Sequence, residues 1–209
     1  MTRLIEWTLD HITGEVQRIS LVTEPATEVD FMLFSSSELK FKVTSKDKRI
    51  VTGVVMRPNK KIVRYDENNK MYFGYFSKDT VRKASELFFR EGQNTNNTNI
   101  EHEYYVKDVF VFESWIVEDP KMDKTLALGL PNIIEGDWVV SMKIENDEVW
   151  NDYLKTGLLK GFSVEIVADE TTKKFSVDEV YDSITTILEE ELDDDAKYAK
   201  IKQKFNNYI

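Results

Sequence analysis

The chain reads as an α+β domain: a mainly antiparallel, barrel-like sheet core with flanking helices, followed by a C-terminal amphipathic helix. Three observations give that class. Short β-branched and aromatic runs bounded by turn residues recur along the chain, roughly eight of them by the usual strand criteria. Roughly three stretches carry helical spacing, and they do not alternate with the strands one by one, which disfavours a parallel wound sheet. The chain has 209 residues, 41% hydrophobic and 12% aromatic, enough to bury one core and too apolar for a disordered chain. The expected organisation is one domain over residues 1–170 and an acidic amphipathic helical tail over 171–209.

Residues 15–22 read as a strand with Val16, Ile19, Leu21 and Val22 at buried positions, ended by Pro25. An apolar pattern resumes over residues 27–34 and breaks at Ser35, Ser36 and Ser37. After a turn at residues 46–48, residues 49–56 are rich in β-branched side chains. Gly53 inside that run marks a bulge or a close backbone approach. Residues 62–65 and 71–76 read as a hairpin around Asp66 and Asn69.

The first helix is signalled by Ser77 as N-cap, by Val81, Ala84, Leu87 and Phe88 at helical spacing, and by Gly92 as the stop. A polar loop over 93–99 leads to a strand over 100–106 carrying His102, and then to a strand over 109–117. Asp119 and Pro120 close it. Residues 121–136 read as a connection and 137–144 as a strand. Asn146 opens a short helix with Val149, Trp150, Tyr153 and Leu154, stopped at Gly157. Ser163 then sits inside an apolar strand-like run. In the tail, Ser176 and Glu179 have capping-box spacing, and Val180, Ile184, Ile187 and Leu188 form an apolar stripe that Tyr198 and Ile201 continue beyond the acidic run at 189–195.

A net charge of -10 argues against direct nucleic-acid binding, which draws on Lys and Arg. Cysteine is absent, so disulfides, thiolate nucleophiles and thiolate metal sites are excluded together. No run reads as a signal peptide or a bilayer span, and the expectation is a protein made and used in cytosol.

Two histidines limit the chemistry sharply. His11 reads as a surface residue near a terminus. His102 stands between Glu101 and Glu103, but the zinc-protease pattern His-Glu-x-x-His breaks at Val106. No glycine-rich phosphate loop is present. What remains is Ser163 with His102, since a serine hydroxyl becomes a nucleophile when an imidazole takes its proton and a third group orients that imidazole. Against this stands the plainer reading, a strand serine and a histidine that are hydrogen-bonded and structural.

Beyond composition, the order of elements and three motifs are similar to something familiar. The motifs are Ile19-Ser20-Leu21-Val22-Thr23-Glu24-Pro25-Ala26, Glu113-Ser114-Trp115-Ile116-Val117-Glu118-Asp119 and Gly161-Phe162-Ser163-Val164-Glu165. Across residues 15–168 the chain resembles the prohead maturation proteases of tailed bacteriophages, in particular the XkdF-like branch, related in fold to the herpesvirus capsid assembly protease. The resemblance implies a serine endopeptidase with Ser163 as nucleophile, His102 as general base, and backbone N–H groups as the oxyanion hole. It implies no metal or organic cofactor. Substrates would be phage scaffold and major capsid proteins and the chain itself, with self-association among the expectations and neither nucleic acid nor membrane as partner. The place of action would be the host cytoplasm, inside the immature capsid.

In many such proteases a Ser-Leu-Val strand follows the nucleophile and carries the acidic third residue. Here that strand comes first, as if the domain were circularly permuted, and the expected acidic position is Arg18. Glu165, on the same strand face as Ser163, is the first candidate for the third member, and Glu113 the alternative, with a serine–histidine dyad also open. The second reading, motivated by Arg18, is a catalytically inactive capsid-assembly or scaffold protein of the same fold. A third is a β-rich binding module. The tail reads as a helix packed on its own domain, with binding to scaffold or capsid protein as the alternative.

Overall fold

The computed structural model describes residues 3–9, 14–23, 40–95, 97–171, 184–190 and 193–205. In chain order the strands are β1 (Leu4–Thr8), β2 (Glu15–Val22), β3 (Lys42–Ser45), β4 (Ile50–Met56), β5 (Ile62–Tyr65), β6 (Met71–Phe76), β7 (Thr98–Ile100), β8 (Tyr104–Val106), β9 (Val109–Ile116), β10 (Trp138–Ile144), β11 (Gly161–Val167) and β12 (Asp169–Thr171). Helix α1 (Lys78–Arg90) follows β6 and helix α2 (Lys124–Leu128) follows β9.

The α+β class holds, and most pairings are antiparallel, with β1–β6 and β2–β7 parallel. The arrangement differs from one closed barrel. The described strands form three four-stranded sheets, in the orders β12-β1-β6-β5, β3-β4-β10-β9 and β11-β2-β7-β8. Alternation of side chains tells which face a strand buries, but not which neighbour its edges close on.

One core joins the sheets. Ile5, Ile19, Leu21, Val140, Met142 and Phe162 are all essentially inaccessible. Helix α1 adds Val81, Ala84, Leu87 and Phe88, and the Phe88 ring meets Trp138 edge-on with centroids 5.7 Å apart. Gly53 is a point of close backbone approach: a Cβ there would lie 2.7 Å from Phe41 Cα. Phe41 N–H donates to the Lys160 carbonyl at 2.9 Å, so the β3 end of one sheet meets the β11 start of another.

Several sequence readings meet the structure closely. Residues 15–22, the 62–65/71–76 hairpin and the helix after Ser77 fall where the pattern put them. Ser77 stands at the N-cap in extended conformation, yet its hydroxyl pairs with Thr80 Oγ1 at 3.0 Å and leaves the backbone uncapped. Asn146 Oδ1 accepts from Val149 N–H at 3.0 Å and opens the Val149–Leu154 turn, which has π-helical bonding.

Other elements were not anticipated. β1, β3 and β12 are short, and α2, capped by Asp123, lies inside the stretch read as a connection. The tail is not one continuous helix. Helical residues 184–188 end in a turn, and helix resumes over Asp194–Phe205 with Asp193 Oδ1 accepting from Ala196 N–H at 2.8 Å. Like charges crowded over 189–195 oppose helix, and Asp favours the cap over the interior. Pro25, residues 27–34, Ser35 to Ser37, the Ser176–Glu179 capping box and His11 lie outside the described residues.

Candidate active site

β11 and β2 pair antiparallel with Ser163 opposite Ser20 and Glu165 opposite Arg18. Directly opposed residues share a sheet face, so these four side chains stand together while Ile19, Leu21 and Phe162 point the other way into the core.

His102 reaches that face from β7 and β8. The run 100–106 is not one strand, as its composition suggested. It folds back at residues 101–103, where the Ile100 carbonyl accepts from Glu103 N–H at 3.0 Å. Glu101 and His102 both take left-handed φ, 53° and 62°, a conformation costly for residues with a Cβ and tolerated where the surroundings over-determine it. Those surroundings are visible. Glu101 N–H donates to the Leu21 carbonyl at 3.0 Å, and the Glu101 carboxylate accepts from Thr23 N–H. The turn is thereby clamped to the end of β2, and the imidazole is delivered over Ser20 and Glu165.

Glu165 is the hub of the cluster. Its Oε1 lies 3.0 Å from His102 Nδ1, and accepts from Asn99 Nδ2 at 2.8 Å and from Ser20 Oγ at 3.2 Å. Its Oε2 lies 3.3 Å from Arg18 Nε, a contact of charges without an aligned hydrogen bond. The Arg18 guanidinium also sits 4.7 Å over the Tyr105 ring. Burial pushes the Glu165 carboxyl upward, but the bonds from Asn99 and His102, the Arg18 charge and the Ser20 bond outweigh it. The net position is below the ordinary carboxylate range. An ionised carboxylate held this way fixes an imidazole through its Nδ1–H.

Ser20 Oγ is also 3.1 Å from His102 Nδ1. One ring nitrogen cannot donate to Glu165 and accept from Ser20 at once. With Nδ1–H given to the carboxylate, the Ser20 hydroxyl donates to Glu165 as well, and Nε2 is left as the basic nitrogen. Ser20 and Ser163 are both buried. Among the described residues no hydrogen bond joins Ser163 to His102. The structure therefore brings His102 and Glu165 into contact and sets Ser163 two positions along the same strand face, opposite Ser20.

Glu113 is elsewhere. On β9 it accepts from Ser141 Oγ at 2.9 Å and pairs with Lys124, whose ammonium lies 3.6 Å over the Trp115 ring. Among the described residues no group of three or more His, Cys, Asp and Glu side chains is placed to hold a metal. Ser20, Arg18 and Asn99 are the members that sequence reasoning did not assign to the site. Asn99 fell in a stretch read as polar loop, yet it is wholly buried on β7. Only the pairing of β2 with both β11 and β7 gathers the three.

A serine, an imidazole and an ionised carboxylate on one face are the groups of serine-dependent acyl transfer. A family model described as "Putative phage serine protease XkdF" matches residues 38–172, and the chain belongs to that family. No curated protein and no solved structure matches the chain.

Proposed function

We propose that the chain is a prohead serine endopeptidase that cleaves scaffold and capsid-protein extensions, and itself, within the immature phage capsid. Ser163 is the nucleophile, His102 the general base through Nε2, and Glu165 the residue that orients the imidazole and stabilises its protonated form. Ser163 Oγ adds to the scissile carbonyl as His102 takes its proton. The imidazolium then returns that proton to the leaving amine, and water, activated in the same way, hydrolyses the acyl-enzyme.

The observation that carries this reading is the 3.0 Å contact between His102 Nδ1 and Glu165 Oε1, two residues from Ser163 on one strand face. It also accounts for Arg18. Glu165 lies directly opposite Arg18, so a permuted variant of the fold would supply from β11 the acidic residue expected on the Ser-Leu-Val strand. Catalytic hydrogen bonds in unliganded enzymes are often long and tighten on substrate binding.

A second reading has one observation in its favour: Ser20 is the hydroxyl within 3.1 Å of the imidazole. Its contact with the nitrogen that Glu165 also claims, and its place outside the matched residues 38–172, weigh against it. Labelling with a fluorophosphonate probe, together with self-cleavage on storage, separates the readings. Labelling and self-cleavage lost in Ser163→Ala and kept in Ser20→Ala support the proposal. The reverse pattern assigns the nucleophile to Ser20. An unlabelled and intact wild-type chain would make it an inactive capsid-assembly protein.

A further inference from the structure

β11 is the end strand of its sheet. Its outer edge is bridged by Lys40 at Gly161, and from Phe162 to Val167 no described strand pairs with it. After Ala168 the chain leaves that sheet and continues as β12 beside β1 in another. A cleft of about 220 Å³ lies where these two sheets meet the end of β4. Trp7, Met56, Ile62, Phe76, Val164 and Ile166 line it together with Ser163, and Arg57 and Arg64 add polar surface.

The walls are built to stay in place. Trp7 lies flat on β6 at Gly74, where a Cβ would fall 2.1 Å from the indole, and Arg64 lies 5.6 Å over the same ring. A drug-sized ligand needs roughly 300 Å³ or more. This cleft is smaller, and its size and mainly apolar lining suit one large side chain. An unpaired strand edge is also the surface on which an extended peptide adds as a further strand, with its main chain giving affinity and side-chain pockets giving selectivity.

Resting on the peptidase reading, we propose that the cleft is a substrate subsite: an extended peptide lies along the edge of β11 that no described strand occupies and seats one large apolar side chain, of the Leu or Phe kind, between Trp7, Ile62 and Ile166. The same strand then carries the nucleophile and holds the substrate, so the peptide is brought to Ser163 in a fixed register.

The test compares hydrolysis of matched peptides that differ by Leu or Gly at a single scanned position. The expected result is a position where Leu raises kcat/KM about tenfold or more over Gly, and where Ala168→Phe, which puts a ring on the cleft lining, brings the two within about twofold. Equal kcat/KM at every position, or a preference retained in Ala168→Phe, overturns the proposal. Should Ala168→Phe fail to fold, Ile166→Ala enlarges the same cleft, and the preference must move from Leu toward Phe; an unmoved preference overturns it. If the wild-type chain takes no fluorophosphonate label, the peptidase reading has failed instead. The cleft is then judged by the Leu peptide, which must shift the methyl resonances of Ile62, Val164 and Ile166 while the Gly peptide does not.

Discussion

Glu165 on β11 and Glu113 on β9 are built alike. Each accepts a hydrogen bond from a serine on the neighbouring strand, Ser20 at 3.2 Å and Ser141 at 2.9 Å. Each faces a cation stacked on an aromatic ring, Arg18 on Tyr105 and Lys124 on Trp115. In each, burial works to raise the carboxyl pKa and the bonds and charges around it prevail, leaving it below the ordinary range. The difference is what else arrives. The clamped turn at residues 101–103 brings an imidazole to Glu165, and buried Asn99 adds a further donor, whereas Glu113 receives neither. A depressed carboxylate pKa on a strand is therefore no mark of a catalytic acid, since a structural ion pair produces it equally well. The distinguishing feature is the partner that the carboxylate orients.

The largest expected effect breaks this comparison open. On the peptidase proposal, Glu165→Gln removes the carboxylate that orients the His102 imidazole, and kcat for peptide hydrolysis should fall by about 10³–10⁴. Glu113→Gln should change kcat by less than about threefold, because no reacting group depends on it. Equal losses in the two variants would remove the distinction. Next in size is Asn99→Ala. Losing the 2.8 Å donor lets the Glu165 carboxyl rise toward the ordinary range and loosens the imidazole, with kcat down about tenfold. The counterpart Ser141→Ala should raise the Glu113 carboxyl and leave kcat unchanged. Carbon-13 titration of the two side chains, read beside kcat, checks both.

These two sites were unequally legible in the sequence, for a physical reason. Alternation and turn residues located β2, β4, β9, β10 and β11 closely, because each strand's burial is written in its own side chains. His102, Ser163 and Glu165 were nameable because histidine is scarce and the residues near Ser163 form a local motif. The turn around His102 was not nameable. Ile100, Tyr104, Tyr105 and Val106 all favour strand, and tertiary clamps on Glu101 impose left-handed φ against that preference. Ser20, Arg18 and Asn99 belong to the site through sheet register, which depends on contacts between distant segments and leaves no local trace. Glu165 ranks ahead of Glu113 in the sequence through its place on the Ser163 strand face, but what separates them in the structure is the loop that folds over one of them.

Smaller effects sharpen the comparison through pH. Both carboxylates titrate below their unfolded values, so the unfolded chain binds more protons in acid. Their contribution to stability is present above the ordinary carboxylate range and is lost as pH falls through the folded values. Glu165→Gln and Glu113→Gln should each flatten the acid side of a melting-temperature profile. Glu165→Gln should do so more, as Glu165 is 23% exposed and Glu113 is 43% exposed. A profile unchanged in Glu165→Gln would mean that its carboxylate is not held ionised by the fold.

The smallest effect concerns the cations. Lys124 and Glu113 are both more than two-fifths exposed, so water and salt screen the pair, and Lys124→Met should shift unfolding by no more than about 1 kcal/mol. Arg18 is 18% exposed, and Arg18→Met would leave a half-buried carboxylate short of its compensating charge while also removing the stack on Tyr105. It should cost more than Lys124→Met, and the gap should narrow below the carboxylate range, where protonated Glu165 no longer needs the charge. Urea unfolding of both variants at neutral and acid pH measures that gap. A gap unchanged with pH would mean that Arg18 acts by packing on Tyr105 rather than by holding Glu165 charged.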